Sequence, residues 1–512
     1  MISDVTGTAR ERLREVGPAV AVAAIAGAAG TVGSYALAGF TPGFVAAPIA
    51  GFLARTLPGF VLTAAILLLG SLGQQLNLLT AIGIATLAFA LAAAAGIYVG
   101  RREGGPLLGA AIAGVVAGGV ALALTGYPIP ALGSAVAVAL VVGVAEVGGT
   151  AAPAEAPTMD DRRRVLKAVA GLVGVSVLGL GASQAGLGVS PGGARNRDQL
   201  HPGGAVLPDE GTVDALLADA DAKSLDVEGI EPLVSHEFYE VDISAVNPDL
   251  SADDWTLGFT GALAEERTLD YETLTSMEAE HQFVTLRCVG ENLNAHKLDN
   301  ALWTGVPIAR LLDELEIESG CGCVMLRAAD DYYEEFPLEA LRTGFIAWGM
   351  NGRELPRAHG YPVRALIPGH WGEINVKWLT EVEFLEREAE GYWEERGWHG
   401  TGPVNTVAKL HAVNRLGGGT IQVGGHAYAG IRGVERVEVS TDGGDTWNDA
   451  TLSEPLPGED VWRMWAYEYQ SPGGSHEVVV RAVDGTGATQ EMVPASAFPN
   501  GPAGWVRETV EG

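Results

Sequence analysis

The chain has 512 residues, 63 Asp and Glu against 32 Lys and Arg, and a formal net charge of −31. Residues 1–190 hold 8 acids and 10 bases and residues 191–512 hold 55 and 22, so the charge divides into +2 and −33. The apolar first part excludes a wholly soluble protein, and the acidic remainder excludes nucleic acid as a partner, because phosphate would be repelled.

Hydrophobic segments at 17–38, 58–73, 78–99, 106–125, 129–147 and 165–184 each approach the length a bilayer requires. The stretch 41–54 is apolar but short, and the topology turns on whether it crosses. If it does, Arg10, Arg12, Arg14, Arg55, Arg101, Arg102 and Arg162 to Arg164 lie on one side, as the positive-inside rule prefers. Seven crossings then place everything beyond residue 185 outside the cell. With six, the groups at Arg101 and Arg162 fall on the wrong side. Arg162-Arg163-Arg164 before the final apolar run resembles a twin-arginine export signal placed internally; an ordinary positive-inside anchor predicts the same orientation.

All ten histidines lie at or beyond His201, so the membrane part offers no imidazole pair for haem. With Arg55 the sole doubtful ionisable group inside it, an anchor or docking platform is favoured over transport. Only five cationic residues are lysine, at 167, 223, 297, 377 and 409. An acid-rich, lysine-poor surface predicts a halophile, since high salt screens its self-repulsion.

Residues 185–232 are rich in Gly, Pro, Asp and Ala and are read as a linker. Short β-rich pieces mixed with helical stretches such as 308–315 predict an α+β domain over 233–403. From 404 to 512 helical patterns vanish. Val434 to Ser440 alternates, Asp442-Gly443-Gly444 turns and Val478 to Val483 runs into Asp484-Gly485, predicting a β-sandwich. Cys288 ends a β-like run before a Gly-containing loop, which presents its sulfur at a strand end; most lone cysteines are buried small hydrophobes. Cys321-Gly322-Cys323 lacks the further ligands of a zinc site, and is read as a structural or redox-reactive pair.

Several longer motifs accompany that cysteine, in order: Asn300-Ala-Leu-Trp303-Thr-Gly305, Asn351-Gly352 through Pro356, His359-Gly360-Tyr-Pro362-Val-Arg364, Ile367-Pro368-Gly369-His370-Trp371-Gly372, and Val376-Lys377-Trp378-Leu379. With the Cys288 loop they resemble the sulfite oxidase family of molybdopterin-dependent oxidoreductases. Arg436 to Trp447 resembles that family's immunoglobulin-like dimerisation domain. The resemblance covers about 230–510 and implies molybdenum-molybdopterin, with Cys288 as the protein's thiolate ligand, a soft donor suited to a sulfur-coordinated metal. It implies pterin contacts at His359, Arg364 and Lys377, with His236 and Asn292 as further candidates, and Tyr332 as the active-site phenol. Tyr333 would face the other way.

The resemblance also carries departures. The family's anion pocket has arginines five residues after the cysteine and just before Val-Lys-Trp, where this chain has Leu293 and Ile374-Asn375. Arg432 remains as a cation from the C-terminal domain, and Arg287 points away by strand alternation. Sulfite is therefore in question, and a sulfoxide-type oxo donor stays open. No Cys-x-x-Cys-His haem attachment occurs, so an external electron carrier is implied. The whole reads as a multi-pass membrane protein with an outward-facing enzyme, and the resemblance of its β-domain suggests a homodimer. The competing readings are a membrane-tethered scaffold that keeps the fold and a transporter with an outer regulatory domain.

Overall fold

The computed structural model describes residues 2–69, 71–147, 210–244, 246–318 and 320–512. The last expected membrane segment, its arginine triplet and linker residues 185–209 lie outside these. Two compact units are present.

The N-terminal unit is helical. Along the chain run α1 (Ile2–Ala38), α2 (Ala46–Thr56), α3 (Gly59–Leu69), α4 (Ser71–Val99), α5 (Pro106–Thr125) and α6 (Pro128–Glu146), of which α3 belongs to the other unit. Among the described residues, four stretches are long and apolar enough to span a bilayer: Gly17–Ala38, Leu72–Gly104, Pro106–Thr125 and Pro128–Glu146. The span expected at 58–73 includes residue 70, which lies outside the described residues. Its helix α3 has 11 residues, as does α2, and eleven residues rise only about 17 Å against a hydrocarbon core of about 30 Å.

Small residues let the long helices approach closely. A Cβ on Gly33 would fall 2.4 Å from the Gly133 carbonyl, and one on Gly96 2.4 Å from that of Gly109. These contacts join α1 to α6 and α4 to α5. Ser134 Oγ donates to the Gly30 carbonyl at 3.0 Å, and Thr31 and Thr86 hydroxyls lie 3.0 Å apart. Leu107, Val115 and Leu132 instead face outward, as lipid contact requires.

The second unit holds two domains. In the first, strands β1 (Thr256–Gly261), β2 (Arg267–Asp270), β5 (Cys323–Ala328), β6 (Tyr333–Pro337) and β10 (Leu379–Phe384) form a mixed sheet ordered β2-β1-β10-β5-β6. A second sheet is ordered β3-β4-β7-β8, from β3 (Glu280–Arg287), β4 (Leu298–Pro307), β7 (Phe345–Met350) and β8 (Arg353–Glu354), with β9 (Arg364–Leu366) also pairing β7. Trp255, Leu257, Leu326, Trp348 and Val382 fill one core of this domain. Cys321 and Cys323 are joined by a disulfide, leaving Cys288 as the free thiol.

The second domain stacks two antiparallel sheets. One holds β11 (Val407–Ala408), β12 (Ala412–Arg415), β13 (Thr420–Tyr428), β16 (Thr451–Leu452) and β17 (Arg463–Gln470); the other is ordered β15-β14-β18-β19, from β14 (Val434–Ser440), β15 (Asn448–Asp449), β18 (Ser475–Asp484) and β19 (Val506–Glu511). Alternating residues Val437 and Val439 face Val478, Val480 and Ala482 in the sandwich core.

The expected linker is shorter than its composition suggested. Helix α7 (Glu210–Lys223) buries Val213 and Ala220 and half-buries Leu216 and Leu217 against Leu233, Trp398 and Trp462. Positions 213, 216, 217 and 220 share one helix face. The irregular segment that follows is bound too: Asn414 Nδ2 donates to the Glu228 carbonyl, and Leu233 N–H to Ser224 Oγ, both at 2.9 Å.

Candidate active site around Cys288

Strand β3 pairs along its whole length with β4, from Glu280 opposite Gly305 to Arg287 opposite Leu298. Cys288 follows directly, and its N–H donates to the Lys297 carbonyl at 3.0 Å. The loop 289–296 therefore closes on a rigid ladder. Cys288 keeps some exposed surface, yet burial pushes its thiol up, with Lys297 acting in the opposite direction.

The segment Trp371 to Lys377 passes the other candidates. Gly372 lies against the end of β3, where a Cβ would fall 3.1 Å from the Arg287 carbonyl oxygen and 2.9 Å from the Tyr239 hydroxyl. The Glu373 carbonyl is 2.9 Å from the Tyr332 hydroxyl, and the Asn375 carbonyl accepts from Arg364 Nη2 at 3.0 Å. Asn375 fixes this path with its own side chain, accepting from Ile367 N–H at 2.7 Å and donating to the Trp371 carbonyl at 2.9 Å.

His359, Arg364 and Lys377 come together. Arg364 is buried over Trp303, 4.9 Å from the ring centre, and donates to the His359 carbonyl at 3.1 Å. Lys377 Nζ donates to the Ala358 carbonyl at 2.8 Å. Gly360, at φ +111, sits between them: a Cβ there would fall 3.0 Å from Arg364 Cβ and 3.1 Å from Lys377 Cβ. Only a residue without a side chain fits that turn. Burial, Lys377 and Arg364 together hold His359 down at about 3, so it is a neutral hydrogen-bonding group at pH 7.

Tyr332 is set between acids. Its hydroxyl is 2.8 Å from Glu334 Oε2 as well as close to the Glu373 carbonyl, and one proton serves one acceptor at a time. Burial, then Glu334, pushes the phenol well above its ordinary range. Tyr333 instead points to Glu395, 2.8 Å away. Sequence reasoning missed the neighbouring carboxyls. Burial raises Glu373 to about 8, helped by Glu394, and raises Glu334 well above the usual carboxyl range. A Cβ on Gly400 would fall 2.3 Å from Glu373 Oε1 and 2.6 Å from Val289 Cγ2, placing that carboxyl beside the residue next to Cys288. The signal available was its position immediately before Ile374-Asn375.

Three candidates stand apart from this set in their contacts. His236 is 63% exposed with Nδ1 3.7 Å from Glu231, and Asn292 is exposed on the loop. Arg432 donates to Asp484 at 3.0 Å, to the Val404 carbonyl at 2.8 Å and to Thr406 Oγ1 at 3.2 Å, none of which belongs to the Cys288 loop. Arg287 turns toward the β-sandwich domain, donating to the Asn405 carbonyl at 2.8 Å and lying 4.7 Å from the Trp371 ring centre.

Residues 244–393 match the family model of an oxidoreductase molybdopterin binding domain, and residues 404–498 that of a molybdopterin-cofactor oxidoreductase dimerisation domain. Mitochondrial sulfite oxidase of Mus musculus is 33% identical over 27% of this chain and 30% of the relative. Sulfite oxidase of Arabidopsis thaliana is 25% identical over 46% of this chain and 76% of the relative, and the NADH nitrate reductase of Solanum lycopersicum 27% over 48% and 34%. The chain thus spans about a third of the length of the mammalian relatives it matches. The sulfane dehydrogenase SoxCD of Paracoccus pantotrophus aligns over 63% of this chain and 94% of its own, with TM-score 0.46 and 18% identity.

The chain thus carries, in that order, a molybdopterin binding domain and a dimerisation domain of the oxidoreductase kind. The chain is similar to the sulfite oxidase family over these domains and carries ahead of them, among the described residues, an N-terminal set of four long apolar helices. The family implies a molybdenum-molybdopterin cofactor, and the residues present fit it. A free, partly open thiol stands at the end of a strand, and a glycine-lined turn brings a buried guanidinium and an ammonium together as a phosphate would need.

Proposed function

We propose that the protein is a membrane-anchored molybdopterin-dependent oxidoreductase carrying out two-electron oxo transfer on a small molecule and exchanging electrons with an external carrier. The observation that carries this reading is the free Cys288 thiol held at the end of β3 beside the segment that also binds Tyr332 and Arg364. Once bound, the cofactor supplies the two-electron change and the oxygen exchange. The protein's part is to hold and orient. Cys288 would ligate the metal, and Arg364 and Lys377 would hold the pterin's anionic end with His359 as a neutral partner. Tyr332 would donate its proton to substrate.

The substrate pocket has few cations for a dianion. Leu293 and Ile374 stand at the two arginine places, Glu373 lies beside Val289, and Arg432 is engaged by Asp484. This supports an uncharged oxo compound such as a sulfoxide over sulfite. The four apolar helices would serve as anchor, the catalytic part would lie on the extracellular side, and the second domain would serve a homodimer. The test is turnover by the molybdenum-loaded protein in high salt, with artificial electron donors and acceptors. A neutral sulfoxide reduced with a kcat/KM at least tenfold above that for sulfite oxidation is expected. Efficient sulfite oxidation, saturating at micromolar substrate, would overturn the substrate assignment.

A further inference from the structure

The loop that carries the thiol is not held by its own domain alone. Arg287, Glu291 and Lys409 have side chains with no exposed surface, and Lys409 belongs to the second domain, between β11 and β12. Its Nζ donates to Glu291 Oε1 and to the Ala295 carbonyl. The other Glu291 oxygen accepts from Lys297 N–H at 2.8 Å, and the Lys297 carbonyl accepts from Cys288 N–H at 3.0 Å. A second tie lies one residue on. Asn294 Nδ2 donates to the Leu410 carbonyl and Leu410 N–H donates back to Asn294 Oδ1, both at 2.9 Å.

Burying a lysine and a glutamate costs several kcal/mol for each ion before their attraction is counted, and apolar side chains of similar volume would stabilise such a place as well. The pair is better explained by what it fixes. Three hydrogen bonds in series link the ammonium of one domain to the backbone of the thiol residue in the other, and the carboxylate among them has both oxygens engaged.

We propose that Lys409 is a positioning residue for the metal-binding thiol: acting through Glu291, it sets the loop from Cys288 to Lys297, so that the β-sandwich domain completes the catalytic centre as well as serving assembly. This rests on the oxidoreductase reading above. It assigns the C-terminal domain a part in the chemistry through a contact 118 residues apart in sequence.

The test uses the full-length protein from a molybdopterin-producing host: the parent, Lys409→Met, Lys409→Arg, and the double variant Lys409→Met with Glu291→Gln. Thermal unfolding reports the fold, elemental analysis the metal content, and paramagnetic resonance of the half-reduced metal its ligand geometry. Lys409→Met is expected to lower molybdenum content about tenfold, the scale on which residues supporting a metal ligand act, or to shift the resonance. Lys409→Arg should restore both. The double variant removes both charges of the Lys409–Glu291 pair and leaves Arg287 its hydrogen bond to the Asn405 carbonyl, so it should fold like the parent and still show the altered signal; it decides the matter if Lys409→Met does not fold. A folded double variant with the parent's metal content and resonance overturns the inference alone. A parent without molybdenum overturns the oxidoreductase reading and this inference with it.

Discussion

At the scale of single residues, the site combines groups whose types were readable with groups whose partners were not. Cys288, Tyr332, His359, Arg364 and Lys377 stand in motifs of adjacent letters, so local sequence marks them. Glu291 with Lys409 and Glu373 with Val289 are joined only by folding, across separations that no spacing rule spans. Arg364 illustrates the first group. Arg364→Met should keep most of the fold through its contact with Trp303 while reducing pterin retention about 10-fold, measured as molybdopterin released per chain. Full retention would remove Arg364 from the pocket. His426 illustrates a group with no part in the chemistry. It is stacked on Trp462 with ring centres 3.8 Å apart, and burial lowers it to about 3. The unfolded chain protonates it near 6.5, so its native environment withdraws stability as pH falls below that value. Between pH 7 and 5 the parent should lose about 2 kcal/mol more than His426→Gln, by denaturant unfolding. Equal losses would show the ring is protonated in the fold.

At the scale of elements, strands were the legible part, because an alternating burial pattern leaves a period of two in the sequence. Val434–Ser440 forms β14 where alternation placed it, and the run from Val478 lies within β18. Helix α7 was missed because Gly, Asp and Ala dominate its surroundings and its apolar face holds only four residues. Helix α7 also makes a prediction. Val213 is 2% exposed beneath Gly352, so Val213→Asp buries an unpaired carboxylate and should cost about 3 kcal/mol or detach the helix. Limited proteolysis near residue 210, faster in the variant than in the parent, is the readout; unchanged cleavage would mean α7 is not fastened there.

At the scale of the whole molecule, charge and hydrophobicity divide the chain as its two folded units do in broad outline. The polar unit carries most of the net charge of −31, much of it on exposed carboxylates. Their mutual repulsion is screened over about 3 Å at 1 M salt and about 10 Å at 0.1 M. The melting temperature should therefore rise by several degrees between 0.1 and 2 M KCl, followed by circular dichroism, and a flat profile would contradict the halophilic reading. The central claim is that this acidic unit houses molybdenum on Cys288, and elemental analysis tests it most directly. The full-length protein, purified in high salt from a host that makes molybdopterin, should contain close to one molybdenum per chain, and a folded Cys288→Ser variant should lose the metal or show a changed metal spectrum. A folded parent without molybdenum would contradict the account and leave a membrane-tethered scaffold in its place.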